Sequence, residues 1–195
     1  DGGYEYDGSA TYYFLPHDAN PNRLASTAIP YGDIERLLAD LNPRRKLLLL
    51  DTCQSGEFDG ATLAALQAVA EDQGLSVRVR ERMISETLDQ PRTWLYERDR
   101  YIYNDLSRRS GAIVFSSSLA NEASIESSAI ENGMFTYAVM EALTGASTDT
   151  NNDGRIAMPE LEAAVKRSVA ANTGNLQHPT IDRDNIYQEF TLPIL

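Results

Sequence analysis

The chain has 195 residues, 42% hydrophobic and 24% charged, which is the make-up of an ordinary globular domain with room for a core. Its 17 basic and 29 acidic residues leave a net charge of -12, which argues against nucleic acid and anionic membrane as partners and is compatible with cationic peptides. A single cysteine excludes an internal disulfide, and no apolar run reaches membrane-spanning length.

Asp1 to Gly8 does not read as a natural start, so the chain is expected to be a fragment, a processed subunit or a shortened form, and no signal peptide is recognised in it. Ala10 to Leu15 is β-branched and aromatic between Gly8 and Pro16, which predicts a strand, followed by a loop through Asn22. Asp33 is placed to cap a helix whose Ile34, Leu37, Leu38 and Leu41 share one face and which Asn42-Pro43 ends. That helix leads into Leu47-Leu48-Leu49-Leu50, a run apolar on both faces, as in a central strand of a parallel sheet. The two strands and the helix between them predict a strand–helix–strand unit.

The leucine run stops at Asp51-Thr52-Cys53-Gln54-Ser55-Gly56. Ligands of open α/β sheets bind outside the carboxyl ends of the strands, so Cys53 is carried to the edge where chemistry occurs. Two readings stand side by side for a lone cysteine: a small buried hydrophobe, or a nucleophile. Its place after an acid and before a Ser-Gly turn weighs against a core cysteine and sets the two readings level.

Ala61 to Gln73 predicts a surface helix ended by Gly74. Leu75 to Glu97 carries Arg78, Arg80, Arg82 and Trp94 and reads as a solvated loop or as a cleavage-prone linker. Tyr101 to Arg109 has helical character, and Gly111 to Ser118 is a second short buried strand ending in small polar residues. Asn121 to Glu126 is expected at the same sheet edge as Cys53, and Gly133 to Leu143 is a buried helix.

Asp149 to Glu160 fits the twelve-residue EF-hand loop at its diagnostic positions. Asp149, Asn151 and Asp153 supply oxygens, Gly154 the sharp turn, the Arg155 carbonyl a further ligand and Glu160 the closing carboxylate. The expected cofactor is Ca2+, and the competing reading is an Asn/Asp/Gly turn that never holds metal.

Leu48-Leu49-Leu50-Asp51-Thr52-Cys53-Gln54-Ser55-Gly56 resembles the nucleophile segment of the caspase-like cysteine peptidases, above all the bacterial metacaspase and orthocaspase branch. Tyr12-Tyr13-Phe14-Leu15-Pro16, the Ser116-Ser117-Ser118 strand end, Gly133-Met134-Phe135-Thr136-Tyr137-Ala138 and the Gln177-His178-Pro179 turn follow in the order of that family. Gln54 departs from it, standing where His is common. The resemblance implies a single caspase-like α/β domain over 1–195: a three-layer sandwich, with a mostly parallel central sheet and helices on both faces. It implies a cytoplasmic thiol protease with Cys53 as nucleophile. Asp51, Glu122, Glu126 and Ser118 would line a pocket for the Arg or Lys of a peptide or protein substrate. The family's base histidine precedes the nucleophile by roughly 50 residues. His17 lies too close for that and His178 follows Cys53, so the base is expected on an N-terminal fragment, with its strand, before Asp1. A non-catalytic, calcium-binding signalling or scaffold module of the same fold is the alternative.

Overall fold

The computed structural model describes residues 2–6, 10–52, 60–72, 74–78, 110–119, 122–127, 130–182 and 190–195. Cys53, Gln54, Ser55 and Gly56 lie outside the described residues, as do the helix read over Tyr101 to Arg109 and all but the start of the arginine segment.

The chain opens with β1 (Gly2–Tyr6) and β2 (Ala10–Phe14), paired antiparallel. A 3-10 turn and the short α1 (Leu24–Thr27) lead to β3 (Ile29–Pro30), which pairs with the other side of β2. The next helix, α2 (Tyr31–Asp40), starts directly from Pro30. Pro30 is already extended, at φ -66 and ψ 144, through its pairing with Tyr13, so it hands the chain straight into the helix. Asp33, read as the cap, therefore sits inside the first turn and pairs with Arg36 instead.

Next come β4 (Leu47–Leu50), α3 (Gly60–Asp72) and β5 (Ser76–Arg78). Gly74, at φ +70, ends α3 as expected, with its N–H donating to Glu71 and that of Leu75 to Ala70. The chain continues through β6 (Ile113–Ser116), β7 (Ser124–Ser127), β8 (Asn132–Gly133) and α4 (Met134–Thr144). It closes with β9 (Arg155–Ala157), α5 (Met158–Asn172), β10 (Thr180–Asp182) and β11 (Thr191–Pro193).

Strand β6 organises the core. Ile113 and Phe115 pack among Phe135, Val139, Leu161 and Val165 of α4 and α5, with the Phe115 and Phe135 rings edge-to-face at 5.0 Å. Ala112 and Val114 join Leu50 of β4, Leu38 of α2 and Tyr12 and Phe14 of β2 in a second cluster. Alternation along one strand thus feeds two apolar clusters, as the period-2 geometry of a strand requires. β4 lies parallel to β6, in register from Leu47–Ile113 to Leu50–Ser116, and β10 is antiparallel on the other side of β6. Both β4 and β6 therefore deliver their carboxyl ends to one edge.

Four expectations change. Among the described residues β4–β6 is the parallel pair and the other strand pairings are antiparallel, so a mostly parallel sheet is not what these elements form. β2 and β4 flank α2 but lie in different sheets, so they do not make the expected strand–helix–strand unit. The leucine run is not buried on both faces: Leu50 is buried, whereas Leu49 is 43% exposed. Among the described residues β4 pairs on one side alone, so its position is that of an edge strand. On α2 likewise, Leu38 is buried while Leu37 and Leu41 face outward, because α2 packs on β2 and β3 over a narrow stripe.

Candidate active site

At the carboxyl end of β4, Asp51 is held by two side chains that come from far along the chain, Ser124 and Thr136. Asp51 Oδ1 accepts from Ser124 Oγ at 2.9 Å. Asp51 Oδ2 accepts from Thr136 Oγ1 at 2.5 Å and from Thr136 N at 3.3 Å. Thr136 N is one of the first, otherwise unpaired N–H groups of α4, so Asp51 caps that helix from another strand, where the helix dipole also favours an anion. Gly133, the residue before α4, lies against the same carboxylate: a Cβ there would overlap Asp51 Oδ2 and stand 3.2 Å from Cγ. Its φ of -65 suits any residue, so the glycine serves the close approach and not the backbone angle.

The parallel pair is stitched beyond its last ladder residues. Ser117 N donates to the Leu50 carbonyl at 2.8 Å and Ser117 Oγ to the Thr52 carbonyl at 3.1 Å. Gln177 is fully buried; its Nε2 donates to the Ser117 carbonyl and its Oε1 accepts from Ile125 N, each at 2.8 Å. One side chain therefore ties the end of β6 to β7. The hydroxyls of Thr52 and Ser116, at this same edge, are buried and find no hydrogen-bond partner among the described residues.

The remaining sequence-predicted residues take separate places. Ser118 is fully buried and donates to the Glu122 carbonyl at 3.3 Å. The Glu122 carboxylate accepts from His178 N and meets His178 Nδ1, both at 2.7 Å, and accepts from Leu119 N at 3.4 Å. It ties the chain after β6 to the turn that carries Gln177. Glu126 lies in β7, in register with Ser76 and Gly133. His17 is exposed in the turn after β2. The structure thus joins Ser118 to Glu122 and leaves Asp51 with Ser124 and Thr136, two partners the sequence did not mark. Cys53 itself lies outside the described residues.

The 149–160 loop has the turns its pattern calls for, with Asn152 at φ 57 and Gly154 at φ 80. Asp149 accepts from Asp153 N and Gly154 N, and Asp153 Oδ1 accepts from Arg155 N. Glu160 closes the loop, accepting from Thr150 N, Thr150 Oγ1, Asn151 N and Ala157 N. The Ala157 N–H, then the Thr150 hydroxyl, hold its carboxyl below the usual carboxylate range. The donor set is oxygen-only, as a hard cation requires. Yet among the described residues no group of three or more His, Cys, Asp or Glu side chains gathers closely enough to hold a metal ion. The carboxylates are turned onto the loop's own N–H groups. β9, inside this loop, pairs with β11, so the C-terminal strand anchors it.

Among the described residues no helix is long and apolar enough to cross a membrane. Comparison with known proteins completes the picture. The family model described as the caspase domain of the C14 peptidases matches residues 3–191. Searches of curated proteins and of solved structures returned no significant match.

Proposed function

Because the chain belongs to the caspase-domain peptidase family, we propose that it is a cysteine endopeptidase that uses Cys53 as nucleophile and cleaves after Arg or Lys. The observation that carries the reading is Asp51, two residues before Cys53, held as an oriented carboxylate at the carboxyl end of β4. An acid held two residues before the nucleophile in the chain suits a cationic side chain, and the net charge of -12 draws such peptides in.

In this reading the Cys53 thiolate attacks the scissile carbonyl, and the Cys53 backbone N–H gives half of an oxyanion hole. A histidine must take the thiol proton and return it to the leaving amine. The base of this family precedes the nucleophile by roughly 50 residues; His178 follows Cys53 in the chain and His17, exposed after β2, lies too close before it, so neither is assigned that role. The proposal places the base on a segment outside residues 1–195, entering on the side of β4 that has no strand partner among the described residues. The same strand would complete a caspase-like three-layer sandwich. A thiol nucleophile in a chain with one cysteine suits the reducing cytoplasm. Glu122 and Glu126 are secondary members of the pocket, and Ser118 shapes it through Glu122.

Fluorogenic peptides varied at the cleavage position test the reading on the full-length protein. Cleavage after Arg and Lys, abolished in Cys53→Ala, supports it. Cleavage after Asp or apolar residues removes the acidic pocket. Binding without turnover moves the chain to the non-catalytic alternative. We propose separately that loop 149–160 takes calcium through Asp149, Asn151, Asp153, the Arg155 carbonyl and Glu160, on the strength of its twelve-position pattern.

A further inference from the structure

The hydrogen bonds around Asp51 say more than that an acid is present. A carboxylate offers about four acceptor positions, two on each oxygen. On Oδ2 both are used, by Thr136 Oγ1 at 2.5 Å and Thr136 N at 3.3 Å, and the bare Cα of Gly133 covers the same oxygen. On Oδ1 one is used, by Ser124 Oγ at 2.9 Å. Among the described residues no further donor reaches Oδ1, and Asp51 is half-buried, so these residues leave one acceptor position on Oδ1 unused. The three donors come from β7 and α4, both anchored in the core by Ile125 and Phe135.

A guanidinium gains its advantage over an ammonium by giving two parallel N–H bonds to two carboxylate oxygens. A single open position on one oxygen withholds that advantage. We propose that Thr136, assisted by Ser124 and Gly133, is a specificity-determining residue. It occupies Asp51 Oδ2, so that the acid takes one charged donor and reads positive charge, not the planar fork of arginine. The peptidase then accepts Lys and Arg alike. This inference rests on the reading of Asp51 as the acid that meets the substrate's basic side chain. Thr136 acts through Asp51 and is a positioning residue.

The test measures kcat/KM on the full-length enzyme with three peptides identical except for Arg, Lys or citrulline at the cleavage position. Citrulline keeps the shape of Arg without its charge. The expected wild-type result is Arg and Lys within about threefold of each other, and both about tenfold or more above citrulline, the worth of one charge-assisted hydrogen bond. Thr136→Val opens a position on Oδ2 and should raise the Arg-over-Lys ratio severalfold, mainly through KM, while Thr136→Ser restores the wild-type ratio. A merely structural role for Thr136 would lower both substrates together and leave the ratio alone. A wild-type enzyme that strongly prefers Arg overturns the inference even if Thr136→Val does not fold. So does a ratio unchanged in a folded Thr136→Val. Asp51→Asn separates the two levels: if Arg and citrulline are discriminated equally in wild type and Asp51→Asn, Asp51 does not meet the substrate and the underlying reading falls. If Asp51→Asn loses that discrimination while Thr136→Val shifts nothing, the inference alone falls.

Discussion

Gln177→Leu removes a fully buried amide that makes two hydrogen bonds of 2.8 Å, one to the Ser117 carbonyl and one from Ile125 N. Leucine has a similar volume, so the change leaves no large cavity, but it strands a donor on β7 and an acceptor beyond β6. Ser117 is 0% and Ile125 is 1% exposed, so water cannot take either place without opening the structure. Each stranded group costs about 1–3 kcal/mol, hence about 2–6 kcal/mol for the pair. Burying the more apolar side chain returns about 1–2 kcal/mol. A net loss of about 3 kcal/mol is a large part of the stability of a domain, typically about 5–15 kcal/mol. With a urea m-value of about 2 kcal/mol/M, the unfolding midpoint should fall by about 1.5 M with the slope unchanged. Urea titration followed by circular dichroism reads it. A shift below about 0.3 M would refute the claim that this one side chain fastens β6 to β7.

Gly133→Ala should cost about 1–3 kcal/mol, because the new methyl displaces Asp51 from Thr136 and Ser124. In an Asp51→Ala background the same change should be nearly free, and a cost that persists there would place the clash elsewhere. Burial raises the Asp182 carboxyl above its ordinary value, so its native state favours the proton and its charge opposes folding as pH rises. Asp182→Asn should therefore stabilise the fold at neutral pH by less than about 1 kcal/mol, since the group is partly exposed, seen as a small rise in Tm, and the gain should vanish in acid below the ordinary Asp value. Glu160 has the opposite sign: its carboxyl is held low by the Ala157 N–H, so its contribution is present above the ordinary carboxylate value and is lost as pH falls through the depressed one. Proteolysis of the 149–160 loop across that acid window in wild type and Glu160→Gln reads it, and identical profiles would contradict it. Calorimetric titration with Ca2+ should give heat in wild type that Glu160→Gln lacks; equal heats would reduce the loop to a turn.

What the sequence made legible were segments whose burial is apolar and periodic or whose ends carry a strong turn signal. Ala10 to Leu15, the helix before Asn42-Pro43, the helix ended by Gly74, Ile113 to Ser116 and the Phe135 helix are of this kind. β7 was not legible as a strand: two of its buried residues, Ser124 and Ser127, are polar and so break the apolar pattern, and Ser124 is held by its hydrogen bond to Asp51. Four leucines in a row likewise say nothing about which edge of β4 finds a partner, so the exposure of Leu49 was not legible. At the site, the position of Asp51 was readable from its place before Cys53. Its partners were not, because Ser124 and Thr136 stand 73 and 85 residues away in the chain and no local pattern links them. The sequence marks Glu122 as an acid for substrate; what the folded turn shows is its carboxylate bonded to His178 and Leu119.

We propose Cys53 as a peptidase nucleophile that follows, two residues on, an acid selecting positive charge. The most direct measurement is labelling of the full-length protein with an arginyl peptide electrophile, with an aspartyl analogue as comparison, followed by mapping of the adduct by mass spectrometry while peptide cleavage is monitored. The account predicts one adduct per chain, on Cys53, faster with the arginyl reagent, and a loss of cleavage that tracks the labelling. Cleavage that continues with Cys53 unmodified, or faster labelling by the aspartyl analogue, would contradict it.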